Sequence, residues 1–397
     1  MRHDYRMSET DTSAGGRISG VAENTAGLRG RFLHNEPMKK HVSWRAGGVA
    51  QRVYIPADLE DLCWLVRALP AEEPIHIFGL GSNLLVRDGG LPGVSILLHG
   101  VLKKIALESR VLGLPPGDDD TAMVYAEAGV ASPKLARFCA NHNLINGEFW
   151  AGIPGTVGGA LAMNAGCYGH ETWEKVVQVV TLNRQGQLHE RRPEDYVTGY
   201  RHVALRSGAI VPHPHPNPNP DGTMLVGEHP LPNPLPLAGE GANDGLRPPK
   251  PKDYPHPNPP PEGEGANVMQ GMPKPINEWF IGAWFRLPRG DGLASRMIIK
   301  DLLQKRIATQ PLQQPNAGSV FRNPPGDYAA RLIESCGLKG YRIGDAQVSP
   351  KHANFIVNLG NASATDIERL IEHVETTVEA LTNIRLLREV RIMGERS

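Results

Sequence analysis

The sequence predicts an α+β protein of two or three domains. Three observations carry that reading. Near the start, the short strand Ala50–Ile55, a helix capped by Asp58 and the apolar run Ile75–Phe78 give a β-α-β order, the beginning of a small α/β lobe. In the middle, Val176–Leu182 reads as a strand, and the turn Asn183-Arg-Gln-Gly186 leads into a hairpin partner. Near the end, Thr365 and Glu368 have capping-box spacing. Behind them Ile367, Leu370, Ile371, Val374, Val378 and Leu381 form one helical stripe. A chain of 397 residues is long enough for more than one core.

Residues 1–36 carry glycine, serine, threonine and charge without periodicity, and are read as a mobile tail. His41–Gly48 opens the folded part. The helix after Asp58 runs to about Leu69 with Leu59, Leu62, Val66 and Leu69 on one face. Val94–Leu98 and Met123–Ala128 read as strands, with Pro115–Asp120 as a surface turn between them. Ser132 as N-cap and Pro133 at the first helical position start a helix through about His142, with Leu135, Phe138 and Cys139 facing inward. Trp279–Leu287 is a further strand, expected to pair with the segment around His202–Leu205. A helix over about Leu293–Ala308 follows, then a loop from Gln310 entering a strand at Phe321. Asp327 caps a short helix that Gly337 ends. His352–Asn358 and Leu386–Ile392 are the last strands.

Between residues 212 and 275 the composition breaks: 19 of the 35 prolines fall in those 64 residues. The unit recurs as His213-Pro-His-Pro-Asn-Pro, His229-Pro-Leu-Pro-Asn-Pro and His256-Pro-Asn-Pro-Pro-Pro. Proline spaced this way supplies no ladder donors and builds no core. The segment is expected to be an extended, disordered insertion at a surface loop, where added length costs little closure entropy.

Lys+Arg and Asp+Glu both number 42, so no net charge draws the chain to nucleic acid or to a membrane surface. No apolar run approaches the roughly 20 residues that span a bilayer. The polar N-terminus has no secretion-signal core. These points predict a cytoplasmic protein, read as a monomer. The four cysteines (Cys63, Cys139, Cys167, Cys336) are scattered without metal-ligand spacing and are read as reduced thiols in or near the core.

Two glycine-rich stretches stand out. Residues 152–166 hold Gly152, Gly155, Gly158, Gly159 and Gly166 among the apolar Ile153, Val157, Leu161 and Met163. Each glycine inside a helix costs about 1 kcal/mol relative to alanine. What it offers is positive φ and a backbone that approaches a ligand closely. The other stretch, Gly79-Leu-Gly-Ser-Asn-Leu84, follows the strand Ile75–Phe78. It is not the dinucleotide fingerprint, since Leu84 stands where the third glycine belongs, and no Gly-Lys-Ser/Thr makes it a P-loop. Both suit phosphate through exposed backbone amides.

Together with His41-Val-Ser-Trp-Arg-Ala-Gly-Gly48, Tyr200-Arg201, Ala317-Gly-Ser-Val-Phe-Arg-Asn-Pro324 and Leu387-Arg-Glu-Val-Arg-Ile392, these stretches make six motifs in one order. The chain resembles the UDP-N-acetylenolpyruvoylglucosamine reductase family from about residue 41 to its end. The tail and the proline-rich insertion fall outside the likeness. Little lies between Arg201 and Trp279 to form an extra folded lid, so the shorter form of the family is the nearer match. The resemblance implies a two-lobed FAD-binding domain of the PCMH/vanillyl-alcohol-oxidase type over residues 37–211 and 276–292. An α+β substrate-binding domain over residues 293–397 would follow.

It also implies bound FAD, NADPH as hydride donor and UDP-N-acetylglucosamine enolpyruvate as acceptor. The cofactor would lie on Gly79, Leu80, Gly81, Ser82, Asn83, Leu84, Gly152, Ile153, Pro154, Gly155, Thr156, Gly158, Gly159, Asn164, Ala165 and Gly166. Ser319 would donate a proton, Arg201 bind the substrate carboxylate and a protonated Glu389 polarise the enolate. Tyr200, Arg322 and Asn323 would face substrate, with Arg322 standing where the family typically has lysine. Two other readings are an oxidase of the same flavin-binding superfamily and a non-catalytic nucleotide-binding scaffold. Taken singly, each catalytic candidate has a plain structural reading: a turn serine, a surface Tyr–Arg pair, a solvated ion pair.

Overall fold

The computed structural model describes residues 27–108, 120–206, 213–214 (backbone only) and 278–397. The chain opens on β1 (Arg31–Pro37), which pairs antiparallel with β2 (Val49–Ile55). The tail expected through residue 36 therefore gives way to sheet at Arg31, and residues 1–26 lie outside the described ones. α1 (Leu59–Ala68) starts where Asp58 accepts the Asp61 amide at 2.9 Å. β3 (Ile75–Phe78), β4 (Leu84–Val86) and β5 (Leu91–Leu97) follow. The first sheet has the order β1-β2-β5-β3, with β5 parallel to both its neighbours.

The second lobe is antiparallel. Its strands and helices are β6 (Ile105–Glu108), β7 (Thr121–Glu127), α2 (Ser132–Asn141), α3 (Val157–Ala162), a small hairpin of β8 (Gly166–Cys167) and β9 (His170–Glu171), then β10 (Val176–Asn183) and β11 (Leu188–Arg191). A second hairpin, β12 (Tyr196–Gly199) and β13 (His202–Leu205), precedes β14 (His213–Pro214) and β15 (Glu278–Pro288). The six-stranded sheet runs β14-β11-β10-β15-β7-β6. The expected pairing of β15 with residues 202–205 is corrected: β15 lies between β10 and β7, and β13 pairs only with β12. The long apolar β15 buries both faces, so it takes a central place that the four-residue β13 could not flank. The rest of the proline-rich segment and most of the expected turn at 115–120 lie outside the described residues.

A further expectation shifts by one residue. Ala131, not Ser132, is the N-cap of α2, and Ser132 is fully buried as its first residue. Leu62, Leu65 and Val66 of α1 pack with Val94 and Ile96 of the first sheet and with Val180, Leu182 and Ile281 of the second, so α1 joins the two lobes. Burial of each such side chain is worth roughly 1.5–3 kcal/mol. Burial also pushes the Cys63 and Cys139 thiols up to about 12, which fits unreactive core residues.

The last part comprises α4 (Gly292–Thr309), α5 (Ala329–Ser335), β16 (Arg342–Ile343), β17 (Ala346–Val348), β18 (Ile356–Asn358), α6 (Ala364–Thr382) and β19 (Arg391–Met393). Tyr328 rather than Asp327 is the N-cap of α5, and Asp327 pairs with Arg331 instead. The capping box of α6 is Ser363/Asp366, two residues before the expected pair. Thr365 and Glu368 bind Asp88 and Arg87 of the first lobe. Five of the six stripe residues are buried, but Leu381 is 66% exposed, one residue before α6 ends. Phe321 makes a single bridge to Arg388 rather than entering a strand. β19 pairs in parallel with β4, and Trp44 donates to the Ile356 carbonyl at 2.8 Å, so the C-terminal part is seated on the first lobe.

Candidate active site

The two glycine stretches, far apart in sequence, face each other. A Cβ on Gly79 would stand 2.4 Å from Thr156 Oγ1, and one on Gly155 would stand 3.2 Å from Ser82 Oγ. Gly81 has φ 60°, and its carbonyl accepts the Ser43 amide at 3.1 Å, so the 41–48 motif backs the first loop. Among the described residues, the amides of Leu80, Gly81, Ser82, Asn83, Gly155, Thr156 and Gly159 donate to no protein acceptor. A cleft lined by free amides, with Gly159 open to solvent, fits the diphosphate of FAD.

The rest of the predicted cofactor set divides. Gly152, Gly158 and Gly166 are glycine for packing: a Cβ on each would lie 2.5 Å from Cys167 Sγ, 2.8 Å from Ala128 Cβ and 2.4 Å from the His170 carbonyl. Ile153 and Ala165 are core residues, Pro154 is exposed, and Leu84 begins β4. Asn164 is buried with both amide hydrogens donated within the protein.

The chemistry-bearing residues meet beside this cleft. Tyr200 and Arg201 form the tip of the β12–β13 hairpin. Arg201 has φ 54°, a conformation that costs a non-glycine residue energy and persists where its surroundings enforce it. Its Nε lies 2.7 Å from Glu389 Oε1, a close ion contact too bent to be a hydrogen bond. Residues 320–322 run beside 387–390: Val320 O accepts the Glu389 amide at 2.7 Å, and Arg322 N donates to Leu387 O at 2.8 Å. Ser319, next to Val320, is thereby brought to Glu389; it is half-buried, and among the described residues its hydroxyl has no partner. Asn83 donates to the Glu389 carbonyl at 3.2 Å, tying the cluster to the first glycine loop.

Glu389 is 8% exposed. Burial holds its carboxyl above the ordinary range, against the opposing pull of Arg201 and Arg322. Among the described residues, the buried Nε of Arg322 has no hydrogen-bond acceptor. Such a donor favours an incoming anion. Arg322 also reaches the Tyr200 and Arg201 carbonyls at 3.5 and 3.3 Å. Tyr200 is 40% exposed, with the Arg201 guanidinium 5.7 Å from its ring centre. Asn323 stands apart: its Oδ1 accepts the Ala329 amide at the start of α5.

Asn354 escaped the sequence reading. Its main-chain carbonyl accepts Val320 N, its Oδ1 accepts Phe321 N, and its Nδ2 donates to Phe321 O at 2.8 Å, so it fixes the segment that carries Ser319. The only mark it leaves is a polar residue beside the apolar run Phe355-Ile-Val.

Residues 50–191 match the family described as FAD binding domain. Residues 310–393 match the family described as UDP-N-acetylenolpyruvoylglucosamine reductase, C-terminal domain. A protein of Thiobacillus denitrificans named UDP-N-acetylenolpyruvoylglucosamine reductase is 60% identical over 398 residues, covering all of both chains. One of the same name from Nitrosomonas eutropha is 49% identical over 93% of this chain and 90% of its own. The crystal structure of UDP-N-acetylenolpyruvylglucosamine reductase from Thermus caldophilus shares the fold, with TM-score 0.60 and 24% identity over 92% of this chain and 99% of that one. With its glycine cleft and buried cluster, the chain is an FAD-containing oxidoreductase. More particularly, it belongs to the UDP-N-acetylenolpyruvoylglucosamine reductase family, whose reaction takes NADPH as co-substrate in peptidoglycan precursor synthesis.

Proposed function

We propose that the cluster of Arg201, Ser319, Arg322 and Glu389 reduces the enolpyruvyl group of UDP-N-acetylglucosamine enolpyruvate. The observation that carries this reading is a buried carboxyl, raised by burial, held between Arg201 in ion contact with it at 2.7 Å and Arg322, whose buried Nε has no acceptor among the described residues. When bound, FAD supplies the two-electron relay from NADPH to the enolpyruvyl double bond. The free amides of the two glycine loops hold its diphosphate. Reduction at the vinyl carbon leaves a carbanion at the neighbouring carbon, delocalised into its own carboxylate, so two negative charges crowd one small group. Arg201 binds that carboxylate through its planar fork. Glu389, whose carboxyl burial raises, acts in its protonated form and donates a hydrogen bond to an oxygen of that group. Ser319 gives its proton to the neighbouring carbon. A serine hydroxyl is a weak acid, and only a strong base held against it takes that proton. Tyr200 and Arg322 form the adjoining wall, with Arg322 also steadying the turn that carries Arg201. The protein works as a cytoplasmic monomer without nucleic-acid partners.

The test is an anaerobic spectral titration of the purified protein. NADPH should bleach the yellow flavin, and the enolpyruvyl sugar nucleotide should restore it. Restoration by oxygen alone would sink the assignment of substrate.

A further inference from the structure

Asn164 is 2% exposed and has φ 40°. Asparagine takes this left-handed conformation more readily than most non-glycine residues, so it is the contacts of Asn164 that carry the argument. Its Nδ2 donates to Glu171 Oε2 at 2.6 Å and to the Gly199 carbonyl at 3.1 Å, while its Oδ1 accepts the Trp173 amide at 3.1 Å. Gly199 immediately precedes Tyr200 and Arg201, and Arg201 shares the left-handed conformation. Asn164 thus ties the segment after the second glycine loop to the turn that presents Arg201. Glu171 completes the arrangement: burial raises its carboxyl, while the Asn164 hydrogen bond and the Arg201 charge both draw it back down. One amide therefore spans a carboxylate that senses Arg201 and the backbone that aims it.

We infer that Asn164 is a positioning residue for Arg201, acting on the carboxylate-binding arginine and not on the cofactor. The inference rests on the proposed role of Arg201. Without the bond to Gly199, the turn is free to relax toward ordinary φ, and the guanidinium leaves its place beside Glu389. Reduction of flavin by NADPH does not use Arg201 and should be indifferent to the change.

The variants are Asn164→Gly, which keeps access to positive φ and deletes the amide, and Asn164→Asp, which keeps the acceptor for Trp173 and loses the donors. Each is made alone and with Arg201→Ala, and both half-reactions are followed anaerobically by stopped flow. With Arg201 present, both variants should bind flavin and bleach with NADPH within about twofold of the parent rate. Restoration by the enolpyruvyl substrate should slow by about tenfold or more, since an ångström of misplacement has that effect or a larger one. In the Arg201→Ala background the same changes should alter restoration by no more than about twofold. Equal loss in both half-reactions, full additivity with Arg201→Ala, or loss of flavin from both variants would overturn the inference. Arg201→Ala that leaves restoration unchanged overturns the role of Arg201 itself. A damaging Arg201→Ala beside a harmless Asn164→Gly overturns only the inference.

Discussion

At the scale of single residues, the proposed chemistry separates into two testable steps. Among the described residues the Ser319 hydroxyl has no partner, and Ser319 sits one residue from Val320, whose carbonyl accepts the Glu389 amide. Ser319→Ala should leave flavin bleaching by NADPH intact and slow restoration by substrate about 10²–10⁴-fold, the range of a lost general acid. If both half-reactions fell together, its role as proton donor would be wrong. Glu389 makes a second, pH-dependent prediction. Its raised carboxyl binds a proton in the folded state over a window where the unfolded chain has lost it. Stability tied to the neutral form is complete below the ordinary glutamate value and is lost as pH rises through the raised one. Restoration should decline over the same window, because it needs the neutral donor. Glu389→Gln, neutral at every pH, should slow restoration about a hundredfold and flatten that decline. An unchanged pH profile in the variant would assign the titration to another group. Ser319, Arg201 and Glu389 were named as candidates from ordered motifs, and the structure brings the segments that carry them together. Asn164 and Asn354 were not read as tethers, because their partners lie 35 and 33 residues away and leave no periodic mark.

At the scale of elements, local signals found each helix start to within a residue or two, with the caps at Ser132, Asp327 and Thr365 misplaced, while the long-range strand pairing failed. The Asp58 cap and the turn at Gly186 depend on neighbours within four residues, and both stand where the sequence put them. The partner of β15 was misjudged because strand choice is decided by burial of whole faces, which no short window records. α6 shows how the two kinds of signal overlap. It has its own capping box, yet Asp88 also accepts Ala364 N, Thr365 N and the Thr365 hydroxyl. Asp88 follows β4 in the first lobe, so this second cap ties that lobe to the C-terminal part as well as satisfying a helix end. Asp88→Ala should lower unfolding stability by about 1–2 kcal/mol in urea titration, with the flavin spectrum of the folded protein unchanged. An unaltered midpoint would mean that Ser363 and Asp366 suffice.

For the whole molecule, the question is how the sheet accommodates so long a connection between β14 and β15. β14 and β15 belong to one sheet, separated by β11 and β10. Pro214 stands opposite His189, which stands opposite Thr181, itself opposite Phe280. The alternating directions make β14 run toward the end of the sheet where β15 begins at Glu278. The chain therefore leaves and re-enters at one end, three strand spacings or about 14 Å apart. Six extended residues reach about 20 Å. Replacing the 63 residues 215–277 with a six-residue Gly/Ser linker should keep flavin and both half-reactions. The shorter loop lowers the closure cost by about 2 kcal/mol, so the sign of the stability change should be positive. With an unfolding entropy of roughly 2 cal/mol/K per residue over about 300 folded residues, that is a rise of about 3 °C in the melting midpoint at most. The proline repeat offers no ladder donors or core residues to set against that gain. A lower midpoint or lost flavin would show that the segment contributes packing its composition does not reveal.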